Sequence, residues 1–154
     1  MKCRKLSRAT IEKGGFQMRN GADNTFDAFL KGFTSVAGFS PEVFGDLGRD
    51  TSEEVALRIL NQFRLSLEVG IERLDQSLQR KDGDLVAQVA HKLAGSAELI
   101  GFLGLGQNCR SAMAKLKQGA AFSQLESGIL AIRTQCQGLL NSLQEHCPNL
   151  SSFI

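Results

Sequence analysis

Residues 84–103 read DLVAQVAHKLAGSAELIGFL, and at their centre Ala90–Ala97 (AHKLAGSA) carries one imidazole followed by small residues. No residue in this run breaks a helix before Gly101. At about 100° per residue, Leu85, Val89, Leu93, Ser96, Ile100 and Leu103 share one stripe, the expected core face. His91 falls roughly 190° from the centre of that stripe. Asp84, Ala87, Gln88, Ala94, Gly95 and Glu98 surround it on the expected outer face. The spacing thus predicts an amphipathic helix that offers a histidine to solvent among neighbours too small to shield it.

The same period extends to either side. Ala56, Leu60, Phe63, Leu67, Ile71, Leu74 and Leu78 form a near-heptad stripe, started by Thr51 or Ser52 with Glu53 and Glu54 in the first turn. Lys81-Asp82-Gly83-Asp84 is the expected turn into the histidine helix, with Gly83 as the break. Beyond Gly101, a helix is expected from about Phe102 to Gln118, with Leu105, Cys109, Ala112 and Leu116 inward. A last one runs from about Ser123 to Glu145, with Leu125, Ile129, Ile132, Cys136, Leu139 and Leu143 inward, before Pro148. No segment alternates with period two, so no strand is expected. Short connections imply antiparallel neighbours, and the fold class is all-α: an antiparallel up-down four-helix bundle.

Upstream, Ser40-Pro41-Glu42 is a helix start, and Gly45 and Gly48 keep that helix short. Phe26, Phe29, Leu30 and Phe33 recur at helical spacing behind the capping residues Asp23, Asn24 and Thr25. These two segments are the expected accessory N-terminal helices. Six of the ten phenylalanines lie within residues 16–44, which gives this region apolar surface to bury on its own chain or on a partner. Residues 1–22 are polar and without period and are expected to be loosely held. The chain divides into an N-terminal extension at 1–38, a bundle at 39–147 and a tail at 148–154.

Composition narrows the function classes. With 154 residues, 42% hydrophobic and 22% charged, the chain suits one globular domain. No apolar run reaches membrane-spanning length, and the basic N-terminus leads into no apolar segment, so neither a membrane span nor a secretory signal is expected. Residues 1–38 carry seven Lys/Arg against three Asp/Glu, and residues 39–154 carry eleven against thirteen. The basic charge therefore sits in the extension, with no motif for nucleic-acid binding. Cys3, Cys109, Cys136 and Cys147 show neither a CxxC pair nor metal-ligand spacing, as expected of a reduced, cytoplasmic protein without a metal site.

An exposed imidazole can serve as nucleophile, general base, metal ligand or plain surface residue. No matched Ser or Cys nucleophile, phosphate-binding glycine loop or HExxH accompanies it. Chemistry shared with a partner protein remains: a neutral imidazole can take up a phosphoryl group and return it. Such transfer needs in-line geometry and positive charge on the phosphoryl oxygens, part of which Lys92 can supply. Gly95 costs the helix on the order of 1 kcal/mol relative to alanine, a cost that close docking of a partner explains. His146, at the end of the last helix, is assigned no role.

The stretch Ala90–Ala97, followed by Ile100-Gly101-Phe102, Leu105 and Cys109, resembles the signature of histidine-containing phosphotransfer (HPt) domains. The likeness extends over roughly residues 40–145. It implies that His91 is the phosphoacceptor and attacks through Nε2. The phosphoryl group would come from the aspartyl-phosphate of a receiver domain, as in a hybrid histidine kinase, and pass to the receiver of a response regulator. It also implies that Gly95 admits the receiver, and that Gln88, Ala94, Glu98 and Phe102 border the docking surface. Phe102 is alternatively a core residue at the helix junction, and Gln88 and Glu98 are alternatively only solvated. Magnesium in such systems belongs to the receiver, so no cofactor is expected here. The chain is expected to be a monomer and not an autonomous enzyme, since it has no ATP-binding boxes. One departure stands out: the lysine usual three residues after the histidine is Ala94 here, which leaves Lys92 for charge neutralisation. Two alternatives are a helical adaptor that docks a receiver or kinase without carrying phosphate, and a kinase-coupled phosphoacceptor, since Gly101-Phe102 also resembles the P1 domains of chemotaxis kinases.

Overall fold

Capping side chains set where three of the helices begin. In the computed structural model, which describes residues 21–154, six helices follow one another. They are α1 (Gly21–Phe33), α2 (Pro41–Asp50), α3 (Glu53–Arg80), α4 (Gly83–Ile100), α5 (Leu103–Lys117) and α6 (Phe122–His146), with a 3₁₀ turn at Leu150–Ser152. The described residues contain no strand. Ser52 Oγ accepts from the Val55 N–H at 3.0 Å to start α3, and Asp82 Oδ1 accepts from the Leu85 N–H at 3.1 Å to start α4. Ser40 does the same for α2, with Pro41 in the first turn. At α6 no hydroxyl caps the start; Gln124 Oε1 instead accepts from the Ala121 N–H at 3.1 Å.

Two local expectations are corrected. Helix α1 is described from Gly21 onward, so Asp23, Asn24 and Thr25 lie within the helix and not ahead of it. The left-handed residue between α3 and α4 is Lys81, at φ 55°, while Gly83 is the first residue of α4. Asp82 must be extended to cap α4, so the left-handed turn falls one residue earlier, on a side chain that tolerates it at some cost. Gly83 is small for a different reason: a Cβ there would lie 3.1 Å from Leu116 Cδ2 of α5. The loosely held segment expected at 1–22 lies, up to residue 20, outside the described residues.

Packing closes a ring. Helix α3 lies against α4, α4 against α5, α5 against α6, and α6 against α3. The inward residues of α3 and α6 are those that the periodicity places there, from Ala56 to Leu74 and from Leu125 to Leu143. Helices α1 and α2 pack on the same core. Phe29, Phe33 and Phe44 are fully buried, which settles their apolar surface on their own chain. Each side chain of this size contributes about 1.5–3 kcal/mol of burial.

Phe102 sits at the centre of these rings. It stacks on Phe63 at 5.4 Å and 17° and meets Phe39 at 4.9 Å. The backbones cross at the same place. The Ser40 N–H donates to the Gly101 carbonyl at 2.8 Å, and the Gly104 N–H donates to the Gly38 carbonyl at 3.0 Å. Gly101, at φ 115°, is needed here, because a Cβ would stand 2.5 Å from the Ser40 carbonyl oxygen. The C-terminal end of the histidine helix is thereby pinned under the entry to α2.

Candidate functional site

Helix α4 turns a different face to the core from the one its large apolar residues suggest. Val86, Val89, Ala90, Leu93, Ala94, Ala97 and Ile100 are the buried ones. The centre of this face is roughly 70° around the wheel from the expected stripe. Leu85 and Ser96 are only half-buried, and Leu103 is 45% exposed. Helix α4 packs most extensively on α5, and both helices bury small residues: Ala90, Ala94 and Ala97 on α4, and Gly106, Cys109 and Ala112 on α5. Small side chains on both helices allow a close approach, and that approach decides the rotation.

Asp84, Gln88, His91, Lys92, Gly95 and Leu99 form the exposed strip that remains on α4. His91 is exposed, and its ring makes no hydrogen bond or ion pair among the described residues. Gly95, one turn on, has nothing within 4 Å of where a Cβ would be. Lys92 and Gln88 are exposed beside them. Two of the expected docking residues are corrected. Ala94 is fully buried, so its side chain offers no surface to a partner. Phe102 is 2% exposed within the phenylalanine cluster, so it is a core residue.

Glu98 is half-exposed and held in place. Arg110 of α5 donates to both its oxygens, Nε to Oε2 and Nη2 to Oε1, each at 2.6 Å. This bond holds the Glu98 carboxyl below its ordinary 4.5 and raises the Arg110 guanidinium. Leu103 and Gln107 share a shallow depression with this pair. On the other side of the strip, Gln88 and Lys92 line a groove between α3 and α4, opposite Leu65, Val69 and Arg73. Its volume is about 170 Å³, below the roughly 300–1,000 Å³ of small-molecule pockets. Among the described residues, no three His, Cys, Asp or Glu side chains converge as metal ligands.

Sequence reasoning missed the α3 side of this face. Leu65 and Val69 are exposed apolar residues four apart, off the core stripe of α3. That off-stripe pair was the available signal. Leu99 on α4 and Leu103 on α5 are also exposed, so apolar surface lies on both sides of the strip. The chain's other histidine, His146, is half-buried at the end of α6, where its ring meets Phe33 at 5.7 Å.

The Hpt domain family model matches residues 58–146, more than half of the chain. The chain belongs to the Hpt domain family. That membership gives it a phosphotransfer role in two-component signalling. The fold is similar to that of histidine-containing phosphotransfer protein B (HptB) from Pseudomonas aeruginosa PAO1, with a TM-score of 0.50 at 20% identity. That likeness covers 70% of this chain and 97% of the other. A comparison with curated protein sequences found no match. No helix among the described residues is long and apolar enough to cross a membrane.

Proposed function

We propose that His91 is the phosphoacceptor of this domain. In this reading it takes a phosphoryl group from a receiver-domain aspartate, or from a kinase, and passes it to the receiver of a response regulator. The observation that carries the reading is the open strip of α4. A solvent-facing imidazole stands one turn before a glycine with empty space above it, and His146 is packed on Phe33. In the transfer step, the His91 Nε2 lone pair forms the N–P bond as the partner's O–P bond breaks, and the aspartate leaves as a carboxylate. The ring proton stays on Nδ1 until solvent removes it. Gln88, Gly95 and Glu98 border the docked receiver, with Leu65, Val69, Leu99 and Leu103 as its apolar contacts, and Lys92 contributes charge. The ring of α3–α4–α5–α6 contacts supports an antiparallel up-down bundle as the working module, residues 39–147, with α1 and α2 as accessory helices. It acts as a cytoplasmic monomer with no cofactor or metal of its own; magnesium comes with the receiver.

The test is incubation with a phosphorylated receiver, or a cognate kinase with ATP, comparing wild type with His91→Gln. Acid-labile, base-stable label that disappears in the variant is expected. Equal labelling of the two proteins would remove His91 as acceptor. Receiver binding without any labelling would favour an adaptor.

A further inference from the structure

Resting on the assignment of His91 as phosphoacceptor, we propose that Arg73 of α3 is a second phosphoryl-binding cation, acting with Lys92 across the α3–α4 groove. A transferring phosphoryl group spreads negative charge over three oxygens and needs more than one positive partner. On α4 itself the positions three and four residues from His91 are Ala87, Gln88, Ala94 and Gly95, none of them charged. Lys92 is the one cation in the exposed strip. The neighbouring helix supplies the next.

Arg73 lines the same groove as Lys92 and Gln88, and Gln88 is also a helical neighbour of His91 at i−3. The two helices run close together here. A Cβ on Gly70, one turn before Arg73, would stand 3.2 Å from Leu93 Cδ1 of α4. A long guanidinium side chain that starts so close to α4 has the reach to cover the groove's rim.

Its charge is also free. Arg49, Arg58, Arg64, Arg110 and Arg133 each form an ion pair with a carboxylate. Arg73 forms none among the described residues, and its helical neighbours Val69, Gly70, Gln76 and Ser77 are not acidic. The corresponding neighbours of Lys92 are Gln88, Val89, Gly95 and Ser96, again without a carboxylate. Two unneutralised cations facing one groove repel each other until an anion arrives. A phosphoryl dianion on or near His91 is the anion that this pairing fits, and arginine can hold two of its oxygens at once.

The test needs no partner protein. Potassium phosphoramidate is a small anionic phosphodonor: His91 Nε2 attacks its phosphorus, the P–N bond breaks and ammonia leaves. Phosphorylation of the full chain is followed by ³¹P NMR, which reports both the rate and the titration midpoint of the phosphohistidine. Arg73→Gln is expected to slow phosphorylation about tenfold and to raise the phosphoryl midpoint by about half a unit, because a cation beside a phosphate favours its dianion. Arg73→Lys should recover part of both effects. Arg80→Gln, the same charge change roughly 10 Å further along α3, should leave both at wild-type values. Circular dichroism and melting temperature identify any variant that fails to fold. His91→Gln separates the two assignments: a phosphohistidine signal that survives in it overturns the phosphoacceptor reading. If His91→Gln abolishes the signal but Arg73→Gln matches wild type, or only equals Arg80→Gln, Arg73 is not a phosphoryl ligand and His91 stands.

Discussion

Arg110 holds the Glu98 carboxylate with two hydrogen bonds of 2.6 Å, tying α5 to α4 two turns beyond His91. The bond keeps Glu98 below its ordinary 4.5. A lowered carboxylate adds stability above the unfolded value and loses it as pH falls through the folded one. Arg110→Gln should therefore bring the Glu98 titration, followed by carboxyl NMR, back up towards 4.5. The difference in urea midpoint between variant and wild type should shrink as pH drops below that value. An unchanged Glu98 titration would mean that the pair does not persist in solution.

Gly95 has open space above it, so adding a side chain there should not disturb the fold. Gly95→Ala should raise stability by about 0.5–1 kcal/mol, seen as a higher melting temperature. Gly95→Gln should fold with an unchanged circular dichroism spectrum yet transfer phosphate more slowly, since the added bulk keeps the receiver from His91. If Gly95→Gln unfolds the protein, the glycine serves packing and not access.

Phe102→Ala tests the corrected role of that residue. Its ring stacks on Phe63 and is 2% exposed, so truncation should cost about 3–5 kcal/mol in chemical denaturation. A variant as stable as wild type but weaker in receiver binding would return Phe102 to the docking surface.

Burial pushes the Cys109 and Cys136 thiols up to about 12, and Cys147 up to about 11. A thiol raised in the folded state leaves stability intact below its ordinary 9.0 and removes it as pH climbs towards the raised value. Unfolding midpoints should fall between pH 9 and about 12, and Cys109→Ala/Cys136→Ala should flatten that fall. At pH 8, residue-resolved mass spectrometry should find these three cysteines unlabelled by a thiol reagent until denaturant is added. Rapid labelling of Cys109 in the native protein would contradict its burial.

Much of the fold was legible from the residues. The α3 and α6 stripes repeat over many turns with large side chains, and Ser40, Ser52 and Asp82 announce helix starts through chemistry local to each position. The exposure of His91 and the openness above Gly95 were legible for the same local reason. The face of α4 was not. Its alanines carry the same weak signal whether they meet water or another helix, and Leu85 and Leu103 drew the stripe towards themselves.

The sequence by itself determined an all-helical chain, the approximate ends of its longer helices, and a histidine set among small residues on one of them. These follow from period, capping and propensity, which a segment carries within itself. Only the tertiary structure decided that Ala94 and Phe102 face inward, that Arg110 fixes Glu98, and that Arg73 shares a groove with Lys92. Each of these depends on a residue from another helix, brought near by the fit of small side chains between α4 and α5 and at Gly70. Periodicity within one helix carries no record of what the neighbouring helix will place beside it.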